Sequence, residues 1–407
     1  MKKMIPILLC LAFVFCTTCL AACQKPDWLP ELPFWSDEEP TEEVTDPTDS
    51  VTEPTEVNFS MEDANAPDYI PEGTFGAPAA IDDYVIDSKS VQMSVPKNLL
   101  HFGKTDLKLS DNKGIEEATV LQYVLCGNIV NWRLDNGYLY VITKASNSLV
   151  VLRSATMELV GYAPLNGSPA EMNFVGDCVY ISLPELHRID IFRKVDCAPG
   201  PSIRLEEEVS SFQIAGNYLF YSEHDQHCRI FRLNMRTGEK KQYLKNYIDN
   251  RLYYPKIILN KTDFTLLAGE TNSSRSSIYY LDAKSMDMIS SHSLNGYNLR
   301  REMFLFEDKV YWSNLCLGGT ANGSVQGKYT GQPGGSNGIG YVSENWVITG
   351  SGLFRVDTYE LIADFVGASL FPEHMLISEA DDVIFFTSIR NAIASGTGVI
   401  NVLHYTE

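Results

Sequence analysis

One unit recurs along this chain from about residue 118: a Gly, Asn or Asp turn, followed at once by a short apolar strand rich in β-branched and aromatic residues. Asp135-Asn136-Gly137 precedes Tyr138-Leu139-Tyr140-Val141-Ile142, Gly176-Asp177 precedes Cys178-Val179-Tyr180-Ile181, and Gly216-Asn217 precedes Tyr218-Leu219-Phe220-Tyr221. Residues 260–263 stand before Phe264-Thr265-Leu266-Leu267, and Glu307-Asp308 before Val310-Tyr311-Trp312. Glu344-Asn345 stands before Trp346-Val347-Ile348, and Asp381-Asp382 before Val383-Ile384-Phe385-Phe386. Measured at Leu139, Val179, Leu219, Thr265, Val310, Trp346 and Val383, the differences between successive positions are 40, 40, 46, 45, 36 and 37.

A period near forty is used by helical solenoids and by β-propellers. The β-branched and aromatic content, with turn signals every ten or so residues, selects strands. These strands are apolar on both alternating faces, as in a sheet packed between two neighbours. Most units continue with a second hairpin, clearest at Leu149-Val150-Val151-Leu152, a turn at Ser154-Ala155-Thr156, and Glu158 to Ala163. Arg188 to Phe192, Arg229 to Leu233, Ser277 to Leu281 and Gly352 to Val356 begin the corresponding strand elsewhere. The fold class is therefore all-β, a β-propeller of seven four-stranded blades. After the last unit only Gly398 to Tyr405 remains, so that blade is one strand short. Thr119 to Leu125 supplies the missing strand from the N-terminal side, a closure that removes exposed edges. Six blades, or eight if residues 81 to 110 form another, fit the same pattern.

Tyr140-Val141-Ile142-Thr143, Asn147-Ser148-Leu149-Val150-Val151-Leu152 and Gly167-Ser168-Pro169 together resemble the YVTN-type β-propeller repeat, over about one blade. The resemblance implies the fold and no activity. One blade departs from the pattern: the outer hairpin between Trp312 and Trp346 is expected to be replaced by a glycine-rich loop, Gly318 to Gly340. That stretch has nine glycines in 23 residues, and such loops are functional or disordered. It is the candidate binding element.

The N-terminal region reads differently. Lys2 and Lys3 precede an apolar run, Ile5 to Leu20, that ends in small residues, the pattern of a secretory signal over residues 1–22. Leu20-Ala21-Ala22-Cys23 resembles the lipobox of bacterial lipoproteins, which implies lipidation at Cys23 and attachment to the extracytoplasmic face of a membrane. Residues 24 to 60 hold eleven Asp or Glu against Lys25, a charge of −10. The stretch Glu38 to Glu56 has no aromatic residue and repeats Pro at 40, 47 and 54. We expect residues 23–80 to be a lipid anchor and disordered acidic tether, and 81–407 to be the propeller, with a possible pre-propeller segment at 81–117.

Of the formal charge of −20, the leader carries +2 and the tether −10, leaving −12 for residues 61 to 407. Such a body repels nucleic acid and anionic lipid. Five cysteines lie in it, Cys126, Cys178, Cys197, Cys228 and Cys316. The count is odd and no CxxC pair occurs, so free buried thiols are expected.

No convergent catalytic set is legible. Gly334-Gly335-Ser336-Asn337-Gly338 matches GxSxG but lacks the strand-to-helix setting of a nucleophile elbow. Gly327-Lys328-Tyr329 lacks the spacing of a phosphate loop. Glu223-His224-Asp225-Gln226-His227-Cys228 is the densest group of potential metal ligands. His224 and His227 nevertheless fall in a polar turn, and His187 occupies the analogous turn one unit earlier. Trp132, Trp312 and Trp346 can line a binding surface or pack between blades, and packing is the expectation. No cofactor is implied. The sequence thus favours a monomeric, non-catalytic propeller that binds an extracellular ligand or envelope protein. A propeller enzyme of hydrolase, lyase or quinoprotein type and a scaffold in envelope assembly are the alternatives.

Overall fold

The computed structural model describes residues 59–101, 115–243, 252–271, 277–293, 303–319, 323–330, 338–365, 372–388 and 397–405. Seven antiparallel sheets follow one another along the chain, each a meander whose first strand is innermost. Blade 1 runs Asn128–Asp135, Tyr138–Lys144, Ser148–Arg153 and Leu159–Pro164. Its first hairpin turns on Asn136 and Gly137, both at positive φ, the geometry that a two-residue turn between right-twisted strands requires. The inner strands of blades 2 to 6 are Glu171–Val175, Val209–Ala215, Lys256–Asn260, Met303–Phe306 and Ile339–Val342.

The second strand of each blade is buried on both faces, as Cys178–Leu183 and Thr265–Gly269 illustrate. Accordingly the core is not one cluster but seven, one between each successive pair of blades. Tyr140, Ile142 and Val151 of blade 1 meet Met172, Val179 and Ile181 of blade 2, and the equivalent layers separate blades 2|3, 3|4, 4|5, 5|6 and 6|7. The seventh layer joins Val383, Phe385 and Val402 of blade 7 to Trp132, Leu139 and Val141 of blade 1, closing the circle. The three tryptophans serve this packing: Trp132, Trp346 and Trp312 lie in three different layers.

Blade 7 is built from both ends of the described chain. From the inside it runs Pro372–Ser378, Val383–Ser388, Gly398–His404, then Ile115–Leu125 and finally Asp87–Pro96. The N-terminal strand closes the ring as its sequence suggested, starting four residues earlier than Thr119. Residues from the 81–117 segment add a fifth, outer strand to this sheet and no eighth blade.

Two further differences from the sequence reading have clear causes. The blade between Trp312 and Trp346 keeps its outer hairpin, with Leu315–Gly318 and Val325–Lys328 as strands three and four. Glycine is needed there by neighbours: a Cβ on Gly327 would lie 2.1 Å from the Tyr359 ring of the next blade. Of the expected loop, residues 320–322 and 331–337 lie outside the described residues.

The chain also lies against the ring from Phe59 onward, so residues 59–80, grouped by composition with the tether, pack with the propeller. Phe59 stacks on Tyr218 at 4.6 Å, and Ser60 caps a short helix, Met61–Ala64. Asp63 accepts hydrogen bonds from Asn217 (2.7 Å) and Asn234 (3.1 Å). Tyr180 then donates to the Tyr69 carbonyl, the Gly76 amide bonds Pro199, and Tyr84 is buried against blades 7 and 1. This strap runs from blade 3 back through blade 2 to the closing blade. Among the described residues no helix is long and apolar enough to cross a membrane.

Candidate functional site

The seven inner strands neighbour one another in order, 1 to 7 and back to 1, and so enclose a central channel. Four of them carry a polar side chain bonded to the next. The guanidinium Nε of Arg133 donates to the Met172 carbonyl at 3.0 Å, Asn173 to Phe212 at 2.6 Å, Gln213 to Ile257 at 3.5 Å, and Tyr341 to Ile377 at 3.0 Å. Each bond runs from one inner strand to a backbone carbonyl of the next, so these residues latch successive blades. The steps from 133 to 173 to 213 are 40 and 40. That spacing was available in the sequence, and the signal is a polar residue interrupting an apolar strand at the blade period.

A cavity of about 220 Å³ occupies the channel and is lined by residues of six of the seven blades. Glu171 is among the lining residues, and its side chain is 4% exposed. Two cations hold it: Arg133 Nη2 lies 3.2 Å from Oε1, and Lys256 Nζ bonds Oε2. Arg133 comes from blade 1, Glu171 from blade 2 and Lys256 from blade 4. Lys256 reaches Glu171 past the inner strand of blade 3, which places both side chains in the channel. Met303 to Phe306 and Val342, on the inner strands of blades 5 and 6, also line the cavity. Burying a carboxylate is costly unless it is paired. The two cations meet that need; among the described residues, the cavity lining carries two positive charges and one negative.

The residues singled out by sequence fall elsewhere. His227 lies exposed, edge-on to Tyr253 at 5.7 Å, in a two-stranded ladder with Leu252–Tyr253. The His224 amide bonds the Glu208 carbonyl, Glu223 pairs with Arg229, and the Cys228 thiol donates to the Asp225 carbonyl at 2.7 Å. The Glu223 carboxylate and the Cys228 thiol are thus both engaged within the turn. Among the described residues no three His, Cys, Asp or Glu side chains gather to hold a metal. His187 takes a left-handed φ of 51° at the end of a 3-10 turn, Pro184–Leu186. Cys23 and the first four residues of the GxSxG match lie outside the described residues.

Cys178, Cys197, Cys228 and Cys316 are buried and unpaired, and Cys126 is exposed. Burial raises the pKa of all four buried thiols, that of Cys228 to about 12. Next to the His187 turn, Glu207 accepts from Tyr221 (2.6 Å) and Lys240 (2.7 Å). Burial works to raise its pKa, but these two hydrogen bonds, the Lys240 charge and a backbone hydrogen bond together outweigh it and hold the carboxyl below its ordinary value.

No known family profile and no curated protein sequence matches the chain. Its structural likenesses include a β-propeller domain. The Swd1 β-propeller domain of Myceliophteria thermophila superposes with a TM-score of 0.50 at 10% identity, covering 70% of this chain and all of that one. Hydrazine synthase of Kuenenia stuttgartiensis gives 0.48 at 11% identity, over 74% of this chain and 99% of that one. BamB from Moraxella catarrhalis gives 0.42 at 12% identity, over 78% and 99%. At 10% identity the likeness to the Swd1 domain is one of fold, and with the seven sheets described above the chain folds as a seven-bladed β-propeller.

Proposed function

We propose that this chain is a lipid-anchored display module. In this reading Cys23 carries the lipid, the acidic segment up to residue 58 spaces the body from the extracytoplasmic face of the membrane, and the propeller binds a ligand or protein partner without transforming it. The observation that carries the binding role is the convergence of Arg133, Glu171 and Lys256 from three blades on one channel cavity. Propellers place function in sites grafted onto the ring. Here Glu171 is engaged by both cations, an arrangement that positions charge. The net charge of −12 on the body disfavours nucleic acid as the partner.

Each half of the proposal has its own test. Cys23→Ala should move the protein from the membrane fraction to the soluble one, since a lipid-linked thiol supplies the attachment. Retention on the membrane would remove the anchor. For the binding half, a ligand that occupies the folded state raises the melting temperature by mass action. A screen of small organic ions, glycans and peptides against the full chain should yield such a rise. A screen silent throughout would remove the binding role and leave the anchor standing.

A further inference from the structure

We infer that the strap, residues 59–80, is a releasable clasp: it leaves and rejoins blades 3 and 2 as one unit while the ring stays closed, so that a pull on the N-terminal segment is taken there and not at the seam in blade 7.

The holds are placed for release. Phe59 stacks on Tyr218, and the Ser60 amide donates to the Tyr218 hydroxyl at 2.8 Å. The Asp63 carbonyl accepts from the Asn217 amide at 2.9 Å, and Asp68 Oδ1 from the Gly216 amide at 2.8 Å. The Tyr69 amide donates to the Gly216 carbonyl at 2.8 Å. On blade 2, Tyr180 donates to the Tyr69 carbonyl at 3.0 Å and the Gly76 amide to the Pro199 carbonyl at 2.7 Å. Gly216 and Asn217 form a turn beyond the last ladder pair of their hairpin, Ala215 with Tyr218. Pro199 begins the outermost strand of blade 2, and the other partners are side-chain ends. The strap can therefore come off without breaking a hydrogen bond of any blade's sheet.

Its own make-up suits opening. Between residues 59 and 80 the helix Met61–Ala64 is the one regular element, and Ala64 is the one buried residue. Segments with few buried apolar contacts and exposed backbone open at free energies below that of global unfolding. The ring keeps a fitted seat for the strap's return. A Cβ on Gly216 would lie 2.0 Å from the Asp63 carbonyl oxygen, and one on Gly200 2.7 Å from the Phe75 ring. An open strap stays joined to the ring at Tyr84, so its return is intramolecular and favoured by a high effective concentration.

The place of the first hold decides what a pull meets. Tyr84 is buried against blades 7 and 1. Asp87 then starts the outer strand of blade 7, which pairs along its whole length with the strand that closes the ring. A pull arriving at residue 86 would act on that seam directly. Phe59 instead puts the first hold on blade 3, with blades 2 and 1 between it and the seam. Release of residues 59–83 supplies roughly 80 Å of extended chain before Tyr84 is loaded. Whatever holds the N-terminal segment, a lipid or a partner protein, the order of events is the same.

Two measurements on the full chain test this. In hydrogen exchange, the Tyr69 and Gly76 amides should exchange together, about a hundredfold or more faster than amides of the second strands Cys178–Leu183 and Tyr218–Glu223. The double variant Phe59→Ala, Asp63→Ala removes contacts to blades 3 and 4. It should nevertheless speed exchange about tenfold or more at Gly76, on blade 2, as well as at Tyr69. Acceleration confined to Tyr69, or strap exchange as slow as that of the second strands, overturns the clasp. In single-molecule pulling between the two chain ends, the first event should be reversible, lengthen the chain by no more than roughly 80 Å, and fall below the force that opens the ring. The double variant should lower the force of that first event and leave the second unchanged, because the ring then opens from the same strap-free state. A first event that also frees Asp87–Pro96 or Ile115–Leu125 would place the load on the seam and overturn the inference.

Discussion

At the scale of single residues, burial separates groups that the sequence made look alike. Five body cysteines had equal standing in the sequence, yet four lie between strands or under turns and only Cys126 meets solvent. Thiolates, not thiols, react with alkylating reagents, and burial raises the pKa of the other four. Brief treatment of the native protein with iodoacetamide at pH 8 should therefore modify Cys126, with Cys178, Cys197, Cys228 and Cys316 following only after denaturation. Peptide mass spectrometry reads the order, and early labelling of any of the four would contradict the packing. Glu207 carries a second residue-scale consequence. Its carboxyl is held below its ordinary value by Lys240 and Tyr221, so it contributes stability above its unfolded pKa of about 4.3. That stability is lost as pH falls through the lower folded value. Glu207→Gln should lower the melting temperature at pH 6 and flatten its decline between about pH 4.5 and pH 3. An unchanged decline would show that the pair contributes nothing. The Glu207 effect was not legible in the sequence, because Glu207 lies in the loop before Val209–Ala215, Tyr221 and Lys240 lie on the second and fourth strands of blade 3, and the three meet only when that blade has formed.

At the scale of elements, the legible parts were those specified by local patterning. Turn residues such as Asn136-Gly137 and the doubly apolar second strands announce each blade, and both are written within a few consecutive residues. What escaped was specified by distant neighbours. Residues 59–80 have a tether's composition, yet Asp63 finds Asn217 and Asn234 more than 150 positions away. The glycine-rich blade suggested a loop because its glycines serve close approach to the next blade, as Gly327 does beneath Tyr359. The join between chain ends shows how register is set where no hairpin can set it. Gln122 and Asn401 face each other across the closing strands, and the Gln122 amide donates to Asn401 Oδ1 at 2.8 Å. Asn401 in turn donates to the Phe386 carbonyl at 3.0 Å. Both side chains are buried, so removing one strands the other at a cost of about 1–3 kcal/mol. Gln122→Leu and Asn401→Leu should each lower the denaturant midpoint, and the double variant should lower it by clearly less than the sum. Additive losses would show that the two amides act independently.

At the scale of the whole molecule, the ring has seven core layers and no centre of its own, so its cohesion depends on every layer being present. The channel site depends on this as well: Arg133, Glu171 and Lys256 lie on separate blades, and only the closed ring brings them together. That is why no spacing in the sequence foretold the trio, although the 40-residue steps of Arg133, Asn173 and Gln213 marked the strands that carry the channel's polar groups. The ring closes through the N-terminal strands of blade 7, which makes closure testable by shortening the chain from that end. A chain beginning at Phe59 keeps every described contact and should melt as the full chain does. One beginning at residue 86 loses the strap, including Phe59 on Tyr218 and the buried Tyr84, but keeps both outer strands. It should melt lower and remain monomeric. One beginning at residue 128 also loses Ile115–Leu125, uncovering the edge of Gly398–His404 beside the buried Ile400 and Val402. Unpaired apolar edges recruit other chains, so this third form should associate with rising concentration in size-exclusion chromatography with light scattering. Were it to stay monomeric and melt like the second, closure by the N-terminal strand would not be what holds the ring.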